Sequence, residues 1–184
     1  MILEDLLILA IAKPVELSDG RLTRCVIGYS DDLKSLVRLY PTYHKSTKVK
    51  EGNVLRIPVI RGDSRENTYK IKNSKDLKQA DDDIVVVDHM TKREVYKLLK
   101  KIPTTTINKL NETKKSMGII KPTDIKIFQK NGQTRMIYNG GSKHNQQILG
   151  NQKKDCTQPL LIVGNHHTYR NSFMVISWKN KVKK

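Results

Sequence analysis

The chain has 184 residues, of which 37% are apolar, a content that can build a hydrophobic core and excludes a disordered polypeptide. Its 35 lysines and arginines against 18 acids give a formal net charge of +17, which predicts a surface that attracts anions. Residues 121–184 hold twelve of these cations and only two acids, Asp124 and Asp155. This distribution favours nucleic acid as the partner, and a merely solvated basic surface is the main alternative.

The N-terminal apolar run, residues 6–12, is too short to span a membrane. Glu4 and Asp5 precede it, where a signal peptide would carry basic residues, so we predict a cytoplasmic protein with no membrane partner. Cys25 and Cys156 lie far apart without the spacing of a metal or redox motif. Reduced, buried thiols are therefore the preferred interpretation, and the sequence leaves a disulfide open.

Short apolar runs separated by polar turns predict five strands in the first part of the chain. Their spacing of roughly ten to fifteen residues is typical of a small barrel. Pro41 is expected to end the third strand, and Pro58 should put the fourth strand at a sheet edge or at a bulge, because proline has no N–H to donate. The predicted strands are residues 6–12, 23–29, 35–40, 54–60 and 69–72.

A strand at residues 84–87 is followed by the only clear helical pattern, which predicts a helical hairpin over about residues 91–117. Thr91 and Glu94 have the spacing of a capping box, and the apolar residues after them share one helix face until Pro103 ends the helix. A second helix should begin near residues 104–106 and end with Gly118 as its C-terminal cap.

Apolar runs after Gly118 again predict strands, at residues 125–129, 135–138, 160–163 and 173–178, and residues 179–184 form a basic tail. The elements together predict an α+β, predominantly β fold. We expect two small OB-like barrels with the helical hairpin between or beside them. The first barrel would occupy residues 1–78, and residues 79–184 would hold the hairpin and the second barrel.

Four short segments follow one another in an unusual succession: Arg24-Cys25-Val26-Ile27-Gly28, Arg38-Leu39-Tyr40-Pro41, Arg65-Glu66-Asn67-Thr68-Tyr69-Lys70 and Gly118-Ile119-Ile120-Lys121-Pro122. Over about residues 6–125 this succession resembles a poorly characterised group of microbial proteins described as dual OB-fold domains. The third segment departs from the group's pattern, since Glu66-Asn67 stands where Pro-Glu is usual. The resemblance implies a pair of small barrels that bind nucleic acid, and it implies no catalytic residue.

Basic and aromatic side chains recur on the predicted strands, as in OB-type barrels that hold single strands with cations and aromatic rings. Arg38 and Tyr40, for example, share one strand face. Aromatic residues make up only 5% of the chain, so phosphate contacts should dominate over stacking. The alternative is that the tyrosines pack at barrel ends. The predicted contacts are Arg38, Tyr40, Arg61, Arg65, Tyr69, Lys70, Arg135, Tyr138, Lys143, Tyr169 and Arg170, with Trp178 in the later group.

The adjacent His166 and His167 are the alternative catalytic residues, for a small metal-independent nuclease or nucleotide-processing enzyme. Neighbouring residues of an extended segment point to opposite sides, so we expect no metal there and no cofactor. No catalytic motif supports an enzyme, and the prediction leans towards a protein that only binds. A protein-interaction module of viral or mobile-element origin is a second alternative, and exposed edge strands would permit a homodimer.

Overall fold

The computed structural model describes residues 1–62, 66–73, 76–123, 125–138, 146–147, 159–165 and 173–180. It consists mainly of β-strands with a few short helices, and it divides into two compact units, Met1–Thr91 and Lys92–Lys184. The predicted α+β, predominantly β fold class is therefore confirmed. None of the helices that the structure describes is long and apolar enough to cross a membrane.

The first unit follows the predicted strands closely: most are longer than predicted, and the strand predicted at residues 69–72 is shifted by one residue to Thr68–Ile71. Its elements are β1 (Ile2–Ile11), β2 (Val15–Glu16), β3 (Leu22–Ser30), β4 (Ser35–Tyr43), β5 (Asn53–Arg61), β6 (Thr68–Ile71), α1 (Leu77–Asp82) and β7 (Val85–His89).

Five of these strands close into a barrel in the order β1, β3, β4, β6 and β5, and β5 returns to pair with β1. Neighbours run antiparallel except β4 and β6, which are parallel. The OB-like barrel predicted for the first part of the chain is thus present. Its interior is filled by apolar side chains from every strand and from α1: Leu3, Leu6, Ile8, Val26, Val37, Leu39, Val49, Leu55, Ile57, Val59, Ile71, Ala80 and Ile84.

Strand β7 pairs with β5 and extends the first unit to Thr91, beyond the predicted boundary at residue 78. Its three valines, Val85, Val86 and Val87, remain exposed. Val54 pairs with Asp88 and Leu55 with Val86, so β7 bulges at Val87, a feature that discourages pairing with another strand. The homodimer through an exposed edge stays a prediction.

The two prolines of the barrel behave differently from expectation. The prediction that Pro41 ends its strand is wrong, because β4 continues to Tyr43. The hydroxyl of Thr23 accepts from the Thr42 N–H at 2.9 Å and donates to the Thr42 carbonyl at 3.0 Å, which holds the strand together beyond the proline. Pro58 lies opposite Ile2, near a register shift in β1, but β5 is not an edge strand since it pairs with β1, β6 and β7.

Two cations of the first unit bind backbone carbonyls, Lys48 at the end of helix α1 and Arg24 in the segment that precedes β5. Lys48 donates from Nζ to the carbonyls of Asp81 and Asp82, at 3.0 and 2.9 Å, and so satisfies carbonyl groups at the helix C-terminus. Arg24 is half-buried and donates to the carbonyls of Ser46 and Val49. Burial lowers the pKa of the Arg24 guanidinium, and the charge of Asp81 opposes that change.

The second unit begins with two helices and continues with strands. Its elements in the described residues are α2 (Lys92–Leu99), α3 (Ile107–Glu112), β8 (Met117–Ile120), β9 (Ile125–Lys130), β10 (Gln133–Tyr138), β11 (Gln146–Gln147), β12 (Leu160–Asn165) and β13 (Phe173–Lys179). They form two three-stranded sheets, in the orders β11-β10-β9 and β13-β12-β8. Strands from both sheets share one core with α3: Ile107, Leu110, Ile120, Met136, Tyr138, Leu161, Val163, Phe173, Val175 and Trp178.

Helix α2 begins after Thr91, as the capping box predicts, and buries Val95 and Leu99 on its apolar face. The prediction that Gly118 caps the next helix is wrong. Helix α3 ends at Glu112, and Lys114, with a φ of 53 degrees, adopts the left-handed backbone conformation that was predicted for the glycine. Gly118 instead lies within β8, where its missing side chain leaves room for Leu110.

We expect Gly28→Ala to destabilise the first unit. A Cβ atom at this position would lie 2.7 Å from both the Leu7 carbonyl oxygen and Leu6 Cδ1, and the carbonyl belongs to the paired strand β1. The free energy of unfolding should fall by about 1–3 kcal/mol in urea titrations. Leu22→Ala, at an exposed position of the same strand, is the control and should change it by less than about 0.5 kcal/mol. Equal stability of Gly28→Ala and wild type would contradict the described packing of β1 on β3.

Candidate anion-binding groove

Arg38 and Tyr40 share a face of β4 as predicted, and the Arg38 guanidinium carbon lies 5.7 Å from the centre of the Tyr40 ring. However, Arg38 is only 3% exposed, and its Nε donates to Cys25 Sγ at 3.2 Å. Burial raises the pKa of the half-buried Tyr40 phenol, Cys25 adds to the rise, and Arg38 opposes it. Arg38 is predicted to contact nucleic acid, but a guanidinium buried in this way cannot reach a phosphate without rearrangement.

Arg61 and Lys70 are exposed at adjoining ends of β5 and β6, where a phosphate could approach them. Tyr69 precedes Lys70 in β6 and pairs with Arg61 of β5. Its side chain packs against the barrel core. Successive side chains of a strand alternate in direction, so Tyr69 and Lys70 do not form one basic–aromatic surface. Tyr69 therefore agrees better with the alternative prediction, in which the tyrosines pack at the barrel.

Two of the later aromatic residues, Tyr138 and Trp178, lie in the core of the second unit. Tyr138 and Trp178 are 6% and 8% exposed and contact other core residues. Burial raises the pKa of Tyr138 to about 12. Arg135 is half-buried on the other face of β10, beside the exposed Ile137. Tyr138 and Trp178 thus stabilise the fold and offer little ring surface to a base, which corrects their predicted role.

Several predicted site residues cannot be placed, because they lie outside the described residues. These are Arg65, Lys143, Tyr169 and Arg170 among the predicted contacts, His166 and His167 as the alternative catalytic pair, and Cys156. Cys25 is a free thiol.

A concave site that the sequence analysis did not predict lies within the second unit. It has a volume of about 540 Å³ and is formed by the end of α2, the segment after it, the residues after β8 and the start of β12. We call it the lysine groove. Its lining residues are Tyr96, Lys100, Lys101, Ile102, Pro103, Thr104, Lys121, Pro122, Pro159 and Leu160.

The lysine groove is electrostatically one-sided. Lys100, Lys101 and Lys121 line it, no acidic residue of the described ranges does, and all three lysines are exposed. No acid of the described ranges forms an ion pair with any of the three ammonium groups. Like charges that converge on a concave surface raise its potential, so the groove attracts anions.

The backbone around the groove is held by local hydrogen bonds. The Lys100, Lys101 and Ile102 amides donate to carbonyls of the last turn of α2, which tightens the helix end. On the opposite side, β8 pairs with β12, so that Lys121 and Pro122 leave the sheet close to where β12 begins. The groove is therefore built on elements fixed by the core of this unit.

Comparison with known proteins gives little family information. No family model matches the chain, and no curated protein does. Among solved structures, a murine DNA-binding protein bound to double-stranded DNA is 14% identical, with 95% of this chain and 91% of that chain covered and a TM-score of 0.40. The tetrameric p202 HIN2 is 8% identical, with 95% and 88% covered and a TM-score of 0.39. The resemblance to dual OB-fold proteins stays a prediction.

We expect Tyr138→Phe to retain nucleic-acid affinity and to change the pH dependence of stability. The wild-type phenol keeps its proton in the folded state up to about pH 12, whereas an unfolded tyrosine loses it near pH 10. Stability is thus lost as the pH rises above 10, and wild type should lose about 1 kcal/mol more than Tyr138→Phe between pH 9 and 11 in urea unfolding. A variant that binds oligonucleotides more than tenfold more weakly while remaining folded would show that Tyr138 contacts the ligand.

Proposed function

We propose that the protein binds nucleic acid without catalysing a reaction on it, mainly through contacts between lysine or arginine side chains and phosphates. One observation carries the proposal: three exposed lysines converge on a groove that no acid in the described part of the chain lines. Nucleic acid is the cellular polyanion whose regularly spaced phosphates match such a surface, and release of its counterions drives the association.

The charges elsewhere in the chain support the same conclusion. The described ion pairs join Arg21 to Asp19, Lys34 to Asp31, Arg56 to Glu4 and Lys109 to Glu112, so they use none of the groove lysines. Arg61 and Lys70 on the first barrel add exposed cations. The buried Tyr138 and Trp178 leave few rings for stacking. Affinity with little sequence preference follows, because phosphate contacts do not distinguish bases.

Binding to an oligonucleotide should weaken steeply with salt, and the groove lysines should account for part of that dependence. In the variant Lys100→Ala/Lys101→Ala/Lys121→Ala, the slope of log affinity against log salt for a single strand should be smaller by up to about 2, since each phosphate contact contributes about 0.7. Fluorescence anisotropy with a labelled oligonucleotide across a range of salt concentrations measures the slope.

The matched control is Lys92→Ala/Lys97→Ala/Lys126→Ala, which removes three exposed lysines of the same unit that do not line the groove. It should change the slope by less than half as much. Absence of binding at low salt in wild type, or affinity independent of salt, would refute the proposed function. If the slope falls equally in the two triple variants, the whole basic surface binds the oligonucleotide and the groove has no special part in binding.

A further inference from the structure

We infer that the lysine groove accepts a single unstacked nucleotide, so that the protein prefers single-stranded nucleic acid over a duplex. This inference rests on the proposed function and assigns it a ligand class. Apart from Thr104, the groove combines two kinds of lining: the three lysines, and a set of apolar or aromatic residues consisting of Tyr96, Ile102, Pro103, Pro122, Pro159 and Leu160.

The two linings match the two halves of a nucleotide. Ammonium groups of Lys100, Lys101 and Lys121 suit a phosphate, whose charge is spread over several oxygens. The ring of Tyr96 and the proline surfaces suit the flat, weakly polar face of a base, which stacks on aromatic side chains irrespective of its identity. A surface that bound only phosphates would gain nothing from this apolar lining, so the lining points to contact with a base.

The size of the groove agrees with this ligand. Sites for small organic molecules enclose about 300–1,000 Å³, and the lysine groove, at about 540 Å³, lies within that range. A base within a duplex is stacked and paired, and it can enter a concave site only after extrusion, which costs a few kcal/mol. A base in a single strand has no pairing to lose. The groove therefore binds the single strand more tightly, and the difference in binding free energy is most of the cost of extruding a base from the duplex.

Three prolines also make the groove stiff. Pro103, Pro122 and Pro159 each fix the backbone φ angle at their position, on three separate segments of the lining. A preformed site loses less conformational entropy when the ligand binds than a flexible loop would. The lining can thus hold a nucleotide with only a few direct contacts.

The test compares a labelled single-stranded 12-mer of mixed sequence with the same sequence as a duplex, in wild type and in Tyr96→Leu, which keeps an apolar side chain but removes the ring. Wild type should bind the single strand more tightly. Tyr96→Leu should bind it about 5- to 100-fold more weakly, the range expected for one lost stacked base, with a much smaller change for the duplex. Tyr43→Leu, at a half-buried tyrosine of the first unit, is the matched control and should leave the ratio of the two affinities unchanged.

Competition experiments distinguish the source of the nucleotide. If a nucleoside monophosphate displaces the strand from wild type but not from Tyr96→Leu, the groove accepts free nucleotides as well as strands. If it fails to compete while the single-strand preference depends on Tyr96, the ligand is a nucleotide within a strand. Inorganic phosphate that competes as well as the monophosphate would overturn the inference, because the base would then contribute nothing.

The proposed function and this inference can fail separately. Equal affinity of wild type for single strand and duplex, with strong salt dependence, would overturn the single-strand preference and retain nucleic-acid binding. If the ratio of single-strand to duplex affinity changes equally in Tyr96→Leu and Tyr43→Leu, the groove is not the site that binds the nucleotide. No binding of either ligand at low salt would remove the proposed function itself. Thermal unfolding of each variant confirms that the protein remains folded.

Discussion

The structure has to accommodate an excess of positive charge that no fold of this chain can fully pair with carboxylates. With 35 cations and 18 acids, one-to-one pairing leaves at least 17 lysines and arginines without a carboxylate, however the chain folds. An unpaired charge is costly to bury, so most of these side chains must lie at the surface. The core cluster of the barrel accordingly consists of apolar side chains, and the buried polar residues of its strands include the uncharged Thr23, Thr42 and Thr68. The cations that are buried, such as Arg24 and Arg38, are held by hydrogen bonds to carbonyl oxygens or to sulfur.

An excess of surface cations becomes a binding site only where the fold brings them together on a concave surface. In the second unit this occurs where three segments that are distant in sequence meet beside the pairing of β8 with β12. The sheet and the core beneath it fix the positions of the segments, and the lysine side chains extend from them. The affinity for phosphate would then depend on charge, and the choice between single strand and duplex on the apolar lining.

The strands were predicted well because the alternation of apolar residues and the turn signals both depend only on residues that are neighbours in the sequence. Prediction from the sequence failed where more than one residue could meet the same local requirement. Lys114, rather than Gly118, adopts the left-handed conformation after α3, and Thr23 supports β4 beyond Pro41. Alternation showed that Arg38 lies outside the barrel interior, but it cannot show whether that outer face is solvated. The groove was missed because Lys100, Lys101 and Lys121 converge only through tertiary structure, although Lys121-Pro122 belongs to a segment already noted for its resemblance.

The most direct test of the central claim is lysine footprinting, in which an amine-reactive acetylating reagent modifies the protein with and without a single-stranded oligonucleotide and mass spectrometry measures each site. The account predicts that Lys100, Lys101 and Lys121 are protected by the oligonucleotide at low salt and become reactive again at high salt. Lys92, Lys97 and Lys126, equally exposed in the same unit, should show little protection. Uniform protection of all six lysines, or none at the three groove positions, would contradict the account.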